Sequence, residues 1–201
     1  MKTIILCALL FGFAPAFSQE DYTLHLKDTS IKVSLNKNYE MKINGQSVTF
    51  YLSGNDTLTY EDEFMSFKYT HEFKVSNSII EDGFEQVMIV SADGMGVIIQ
   101  KHSYLNPSKL NEVMIDEVTK ESRNYGFVMS REDYKRKLNS GRQIEINKAV
   151  LKYKEQVSIY ELTSFGKKDE GAVILTMVNN NIPGGPGEKL VELMWKTLQI
   201  K

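Results

Sequence analysis

Apolar and polar residues alternate through most of the first hundred positions, the pattern of strands that bury one face. Candidate strands of this kind cover residues 22–26, 31–35, 47–52, 65–75, 87–91 and 96–104. In the fourth of them Phe67, Tyr69 and Phe73 share one parity and therefore one face. Asp93 and Gly94 lie between the last two and form a short-range hairpin signal. The pattern predicts a series of antiparallel strands.

From residue 107 onward the period becomes that of a helix. Apolar residues fall at helical spacing at Leu110, Val113, Met114, Val118 and Tyr125. Pro107 suits the first turn of this helix, and Gly126 suits the position just after its end. Ser130, followed three residues later by Asp133, indicates a second, shorter helix that ends at Leu138.

Three long strands are predicted next, over residues 142–153, 157–165 and 172–178, with a hairpin joining the second and third. Residues 179–187 consist almost entirely of turn-forming types, so they form a loop. A terminal helix follows, with one apolar side made of Leu190, Val191, Met194, Trp195 and Leu198.

The first 18 residues have the pattern of a secretory signal peptide. Lys2 precedes an apolar run over 4–13, and small residues at 16 and 18 suit cleavage after Ser18. Lipidation of Cys7 is not favoured because Leu6 precedes it and the apolar run before it is short. A membrane anchor would need about 20 apolar residues. We therefore predict a periplasmic or secreted protein whose mature chain lacks cysteine.

Charge and composition narrow the class of partner. The chain has 24 Lys and Arg against 26 Asp and Glu, a formal net charge of −2 with both signs interspersed. This balance gives no electrostatic reason to expect binding to nucleic acid or to an anionic membrane surface. No further apolar run is long enough to span a bilayer, so residues 19–201 are predicted to form one globular domain without a membrane span.

The order of elements after Gly96 resembles that of the PsbP-like and DcrB-like proteins. The matching features are the apolar strand 96–99, the helix after it, the paired strands 157–163 and 173–177, and the terminal helix pattern over 193–200. The resemblance covers roughly residues 96–201. It implies an α+β fold, with a central antiparallel β-sheet flanked by helices as an α/β/α sandwich. It also implies a non-enzymatic accessory protein, and it transfers no functional residue.

Catalytic and metal-binding signals are weak. No G-x-S-x-G motif occurs, and the histidines number three, at 25, 71 and 102. His71 and Glu72 begin like a zinc protease motif, but Val75 stands where its second histidine belongs. The acidic clusters lack the regular ligand spacing of a calcium loop. We therefore predict no catalytic residues, no bound metal and no cofactor.

Two places remain as candidate binding sites. One is the turn-rich loop with Asn179, Asn180, Asn181, Gly184 and Gly185, because long loops on rigid scaffolds carry binding residues and glycines expose backbone N–H groups. The other is His102 with Tyr104, at the end of a strand.

These features lead to three functional hypotheses. The first is an exported, non-enzymatic accessory or binding protein that acts through protein–protein contacts. The second is a periplasmic carrier of a small apolar or amphiphilic ligand held between sheet and helices, suggested by the aromatic face of residues 67–73. The third is an unrecognised hydrolase, for which His102 would need a nearby carboxylate and serine.

Overall fold

The computed structural model describes residues 21–26, 29–43, 45–180 and 183–201. The predicted signal peptide and its cleavage after Ser18 lie outside the described residues. The chain divides after Gly54 into two compact units. The single domain over residues 19–201 stays a prediction. Within the described residues, no helix is long and apolar enough to cross a membrane.

The first unit consists of two antiparallel hairpins. Its strands are β1 (Asp21–Leu26), β2 (Thr29–Ser34), β3 (Asn38–Ile43) and β4 (Gln46–Tyr51). Strand β1 pairs with β2, and β3 pairs with β4. The ring of Tyr39 stacks on that of Phe50 with centroids 5.5 Å apart, and its hydroxyl accepts a 2.6 Å hydrogen bond from the backbone N–H of Ser34. The hydroxyl of Tyr39 therefore links the second hairpin to the first.

The second unit is built on an eight-stranded antiparallel sheet. Its strands are β7 (Ser76–Glu81), β8 (Phe84–Val90), β9 (Gly96–His102), β10 (Val128–Arg131), β11 (Tyr134–Lys137), β12 (Gln143–Tyr153), β13 (Gln156–Lys167) and β14 (Glu170–Asn179). The spatial order is β10-β12-β13-β14-β9-β8-β7, and β11 pairs with the other part of β12. Strand β14 is buried over most of its length because it lies at the centre of this sheet.

The remaining elements cover the two faces of the sheet. They are β5 (Thr57–Glu61), β6 (Met65–Thr70), a 3-10 helix η1 (Pro107–Lys109), α1 (Asn111–Asn124), α2 (Pro186–Thr197) and β15 (Gln199–Ile200). Helix α1 buries Ile115 against Leu151, Leu162 and Val173 on one face. Helix α2 packs on the other face beside a three-stranded sheet, β15-β6-β5, and this side holds the larger core.

The predicted fold class is wrong. Of the described residues, 55% are in strands and 17% are helical, and they contain two α-helices. The large sheet is not flanked by helices as an α/β/α sandwich, because the face under α2 is shared with the three-stranded sheet. The physical reason is the period-two pattern of residues 57–70: Met65, Phe67 and Tyr69 alternate on β6 and fill core space that a helix would otherwise fill.

Several local predictions are confirmed, and one is wrong. The hairpin at Asp93 and Gly94, the helix before Gly126 and the terminal helix all form. The short helix expected from Ser130 to Leu138 does not form, and the segment gives strands β10 and β11 instead. The Asp133 carboxylate accepts a hydrogen bond from the backbone N–H of Lys148 on β12 (2.8 Å). Asp133 therefore ties the connection between β10 and β11 to β12 instead of capping a helix.

Candidate functional site

A cleft of about 210 Å³ lies between α2 and the sheet face formed by β11 to β14. Its apolar side chains are Ile159, Val178, Val191 and Trp195. Its polar side chains are Arg136, Lys148, Glu161, Thr176, Glu188 and Glu192. Both sets follow from periodicity: the helix residues fall at spacings of three, four and seven, and the residues on β13 and β14 alternate along their strands. Each element therefore presents one mixed face to the cleft.

The guanidinium of Arg136 lies between two aromatic rings. Its central carbon is 4.6 Å from the ring centroid of Trp195 and 5.4 Å from that of Tyr134. Its Nη2 donates to the hydroxyl of Tyr134 and to Glu161 Oε2 (3.4 Å). The hydroxyl of Tyr134 donates in turn to Glu161 Oε1 (2.7 Å). Arginine, tyrosine and glutamate thus form a closed network at one end of the cleft.

This network holds Tyr134 in its protonated form. Burial raises the pKa of the Tyr134 phenol to about 12, and the hydrogen bond to Glu161 acts in the same direction. A general acid or base that works at neutral pH needs a pKa near 7. The surroundings of Tyr134 move its pKa upward, away from 7. Its role is therefore to donate a hydrogen bond to Glu161.

Two buried hydrogen-bond donors at the cleft have no acceptor among the described residues. They are Nε1 of Trp195 and Nε of Arg136. Trp195 is only 5% exposed. Leaving a buried donor unsatisfied costs about 1–3 kcal/mol, and more when the group is charged. Both N–H groups are closed off from solvent, so they are unsatisfied within the packing beside the cleft rather than exposed in it.

The α2 side of the cleft also carries two acidic residues. Glu188 and Glu192 lie one turn apart on α2, and both line the cleft. Glu188 Oε2 accepts from the backbone N–H of Gly184 (2.6 Å), while Glu192 makes no hydrogen bond or ion pair within the described part of the chain. The cation Lys148 is already paired with Glu132 at 2.8 Å. The cleft thus combines two acidic side chains with two cations that are already paired within the protein.

The predicted binding loop borders this cleft but is held by its own contacts. Asn180 accepts from the backbone N–H of Val157 (2.8 Å) through Oδ1 and donates to the carbonyl of Glu155 (2.9 Å) through Nδ2. The backbone N–H of Asn179 contacts the sulfur of Met95 at 3.4 Å. The side chain of Asn180 therefore fastens the loop to the start of β13.

The glycine part of the loop leads directly into α2. Gly185 is the N-cap residue of α2, and Gly184 has a φ of 69°. Because Glu188 reaches back to the Gly184 N–H, this end of the helix resembles a capping box. Asn181 lies outside the described residues. The loop thus leads into the helix that carries the cleft residue Glu188, and its role as a binding loop stays a prediction.

The second predicted site lies elsewhere in the sheet. The ring of His102 stacks on Phe84 with centroids 4.7 Å apart, and burial lowers the pKa of its imidazole. Its Nε2 is buried without a partner among the described residues. Tyr104 is 71% exposed, and its ring packs over Gly83, where an added Cβ would lie 2.3 Å from the ring. Within the described residues no group of acidic, histidine or cysteine side chains has metal-binding geometry.

The aromatic face predicted as a carrier site is core. Phe67, Tyr69 and Phe73 are all buried in the larger cluster and do not line the cleft. Trp195, which the sequence indicates only as an apolar helix position, is the aromatic residue of the cleft. The sequence contains one signal for this cleft, the helical spacing of charged and apolar residues on α2. Glu188, Val191, Glu192 and Trp195 fall at intervals that put charge and apolar area on one helix face.

No family model matches this chain, and neither does any curated protein. The PsbP-like resemblance therefore stays a prediction, and the function must be inferred from the cleft itself.

Proposed function

We propose that this chain is an exported, non-catalytic binding protein that takes a small ligand in the cleft beside α2. The proposal rests on the lining of this cleft, where the guanidinium of Arg136 and the indole ring of Trp195 lie beside the apolar side chains Ile159, Val178 and Val191. Apolar area together with a few polar groups that fix orientation is the usual make-up of a small-molecule site.

Intrinsic tryptophan fluorescence can be used to follow binding in the cleft. Trp195 is the only tryptophan in the chain, so its fluorescence reports on this site without labelling. The first experiment is native mass spectrometry of the protein purified from its exported fraction, followed by titration of Trp195 emission with the small molecule found. We expect a stoichiometric bound mass that shifts the emission.

Paired arginine variants test where the ligand binds. Arg136→Met keeps the aliphatic stem but removes the guanidinium, and binding should fall at least tenfold. Arg123→Met is the matched control, because Arg123 pairs with Asp116 on α1, outside the cleft. Circular dichroism of both variants checks that each one folds. Equal loss in both variants, or a bare protein that no compound titrates, would refute the proposal.

The accessory-protein hypothesis remains a second candidate because of one exposed edge. Strand β7 ends the large sheet, and on it Ile79 is 79% exposed beside the half-exposed Ile80. An extended segment of a partner protein could add to such an edge through main-chain hydrogen bonds. Ile79→Lys should then abolish the partner complex in native mass spectrometry while ligand binding at Trp195 persists. A complex that survives Ile79→Lys counts against this candidate.

A further inference from the structure

We infer that the exposed edge of strand β7 is an interface between two copies of this chain. In the proposed dimer, β7 of one copy runs antiparallel to β7 of the other about a two-fold axis, so the two large sheets join edge to edge. This interface does not depend on ligand binding in the cleft. It assigns a second copy to the edge that the accessory-protein hypothesis leaves to a different partner.

The two edges of the large sheet differ in composition. The edge formed by β10 and β11 carries four cations, namely Arg131, Lys135, Arg136 and Lys137. Charged side chains, proline and bulges commonly protect a sheet edge from pairing with another chain. Strand β7 has no lysine or proline, one charge at Glu81 and one bulge, and it exposes Ile79 and Ile80. Its composition therefore favours pairing with another strand.

The first face of β7 is apolar and continues the larger core. Asn77 lies opposite Val87, which is buried in that core, so Asn77 is on the face of the sheet that α2 covers. Period two puts Val75 and Ile79 on the same face. Val75 packs against the core, whereas Ile79 is 79% exposed. A two-fold axis perpendicular to the sheet at Asn77 places each Ile79 opposite Val75 of the second copy and gives it an apolar neighbour.

The second face of β7 carries complementary charges. Glu81 lies on the opposite face from Ile79, because the bulge at Ile80 makes the two pair with adjacent residues of β8. Continuing period two back to Lys74 places Lys74 on this second face as well. Both side chains are exposed, and neither makes an ion pair or hydrogen bond within the described residues.

The proposed two-fold pairing brings these two charges together. Counted from the axis at Asn77, with the bulge allowed for, Glu81 of one copy lies opposite Lys74 of the other, and the symmetry repeats this contact at the far end. Two like charges are therefore nowhere opposed along the paired edge. Complementary charge fixes the register of an interface and disfavours other partners, so it favours a second copy as the occupant.

Sedimentation velocity of the exported protein over a range of concentrations measures this dimer. We expect a reversible monomer–dimer equilibrium, and Ile79→Lys should weaken it about tenfold or more because the two-fold introduces the lysine twice. Val128→Lys is the matched control, since Val128 is 73% exposed on β10 at the other edge and should leave the equilibrium unchanged. A protein that stays monomeric at every concentration, or a dimer that persists in Ile79→Lys, overturns the inference.

Charge-swap variants test the register. Lys74→Glu and Glu81→Lys each place like charges opposite one another twice in the dimer, so each should weaken dimerisation about tenfold. The double variant restores opposite charges and should recover the dissociation constant to within about threefold of the original. The assigned register is wrong if neither single variant weakens the dimer, or if the double variant fails to restore it.

A cysteine on the two-fold axis gives an independent check. Asn77 lies opposite itself in the proposed pairing, and the separation of about 4.5–5.5 Å between paired Cα atoms of antiparallel strands suits a disulfide. Asn77→Cys should therefore form a covalent dimer under mild oxidation. Ser108→Cys, at an exposed position of η1, and the original chain are the controls and should stay unlinked. Equal cross-linking in Asn77→Cys and Ser108→Cys counts against the pairing.

The outcomes separate this inference from both functional candidates. If the protein is monomeric and native mass spectrometry finds a different protein that Ile79→Lys releases, the edge belongs to an accessory partner and the dimer inference is wrong. Ligand binding in the cleft is measured by Trp195 emission, which Ile79→Lys should leave unchanged. Failure of the cleft proposal and failure of the dimer are therefore observed in different measurements.

Discussion

A pair of facing glycines in the β13–β14 hairpin gives the sharpest stability prediction. Gly166 on β13 pairs with Gly171 on β14, and the 3-10 helix η1 packs directly over them. A Cβ added at Gly171 would lie 2.4 Å from the carbonyl oxygen of Phe165, 2.6 Å from Cδ of Pro107 and 2.7 Å from Cα of Gly166. Gly171→Ala therefore tests whether this close approach is a requirement of the fold.

The magnitude follows from those distances. Each contact is about 1 Å shorter than the 3.5–4.0 Å optimum for non-bonded atoms. Two of the three atoms belong to paired backbone, and the neighbouring Ala172 and Phe165 are buried, so the strands have little room to shift. Overpacking of this kind costs about 1–3 kcal/mol, against which a Gly→Ala change recovers about 0.4–1 kcal/mol from the unfolded chain. Because three contacts are short at once, the upper end of that cost, about 3 kcal/mol, applies, and we expect a net loss of about 2 kcal/mol.

Urea denaturation followed by far-ultraviolet circular dichroism measures this loss. A decrease of about 2 kcal/mol corresponds to a fall in Tm of about 4–8 °C for a chain of this size. Gly141→Ala is the control for a glycine substitution without a clash, because nothing lies within 4 Å of its added Cβ. Its φ of 85° gives backbone strain of about 1–2 kcal/mol, offset by about 0.4–1 kcal/mol from the unfolded chain, so it should cost less than Gly171→Ala.

A double variant separates the clash with η1 from backbone strain. Pro107→Ala removes Cδ, so Gly171→Ala should cost less in the Pro107→Ala background than in the original chain. Strict additivity would show that η1 does not press on Gly171. Unchanged or increased stability of Gly171→Ala alone would refute the whole packing argument.

Three further predictions concern the core, the loop and alkaline pH. Leu162→Ala should lower the free energy of unfolding by about 2–5 kcal/mol in urea, since Leu162 is fully buried under α1. Asn180→Ala should cost about 1 kcal/mol in the same assay and leave Trp195 titrations unchanged, because its hydrogen bonds fasten the loop. The raised pKa of Tyr134, about 12, favours folding below pH 10, and this contribution is lost as pH rises from 10 to 12. Tyr134→Phe should therefore unfold with a weaker pH dependence between pH 9 and 11.5, whereas identical slopes would contradict the assigned environment.

Elements with local signals could be predicted from the sequence. The hairpin between β8 and β9 depends on Asp93 and Gly94, whose turn geometry is set by the two residues themselves, and Gly94 has a φ of 79°. Helix α1 is likewise set by its own spacing and by Gly126, which has a φ of 96° just after the helix. In both cases the deciding residues are neighbours along the chain.

The predictions that proved wrong concerned segments whose structure depends on residues far away along the chain. The segment that begins at Ser130 has a helix-start signal, but the eleven-residue β12 offers a long edge on which β10 and β11 both pair, so tertiary pairing outweighs local preference. The fold class failed for a similar reason, because β6 pairs with β15 from the end of the chain. The cleft brings together Arg136, Glu161 and Trp195 from β11, β13 and α2, and no motif links these positions in sequence.

The pairing of β9 with β14 has a consequence for the rate at which this unit folds. The two strands are adjacent at the centre of the sheet, yet paired residues such as Gly96 and Met177 lie roughly 80 positions apart along the chain. The β7–β8–β9 and β12–β13–β14 meanders can each form early from local turns, whereas joining them must close a long loop before any contact compensates. Until that step, two inner strand edges stand open to pairing with other molecules. We therefore expect the β9–β14 pairing to be the last part of the sheet that is protected from aggregation.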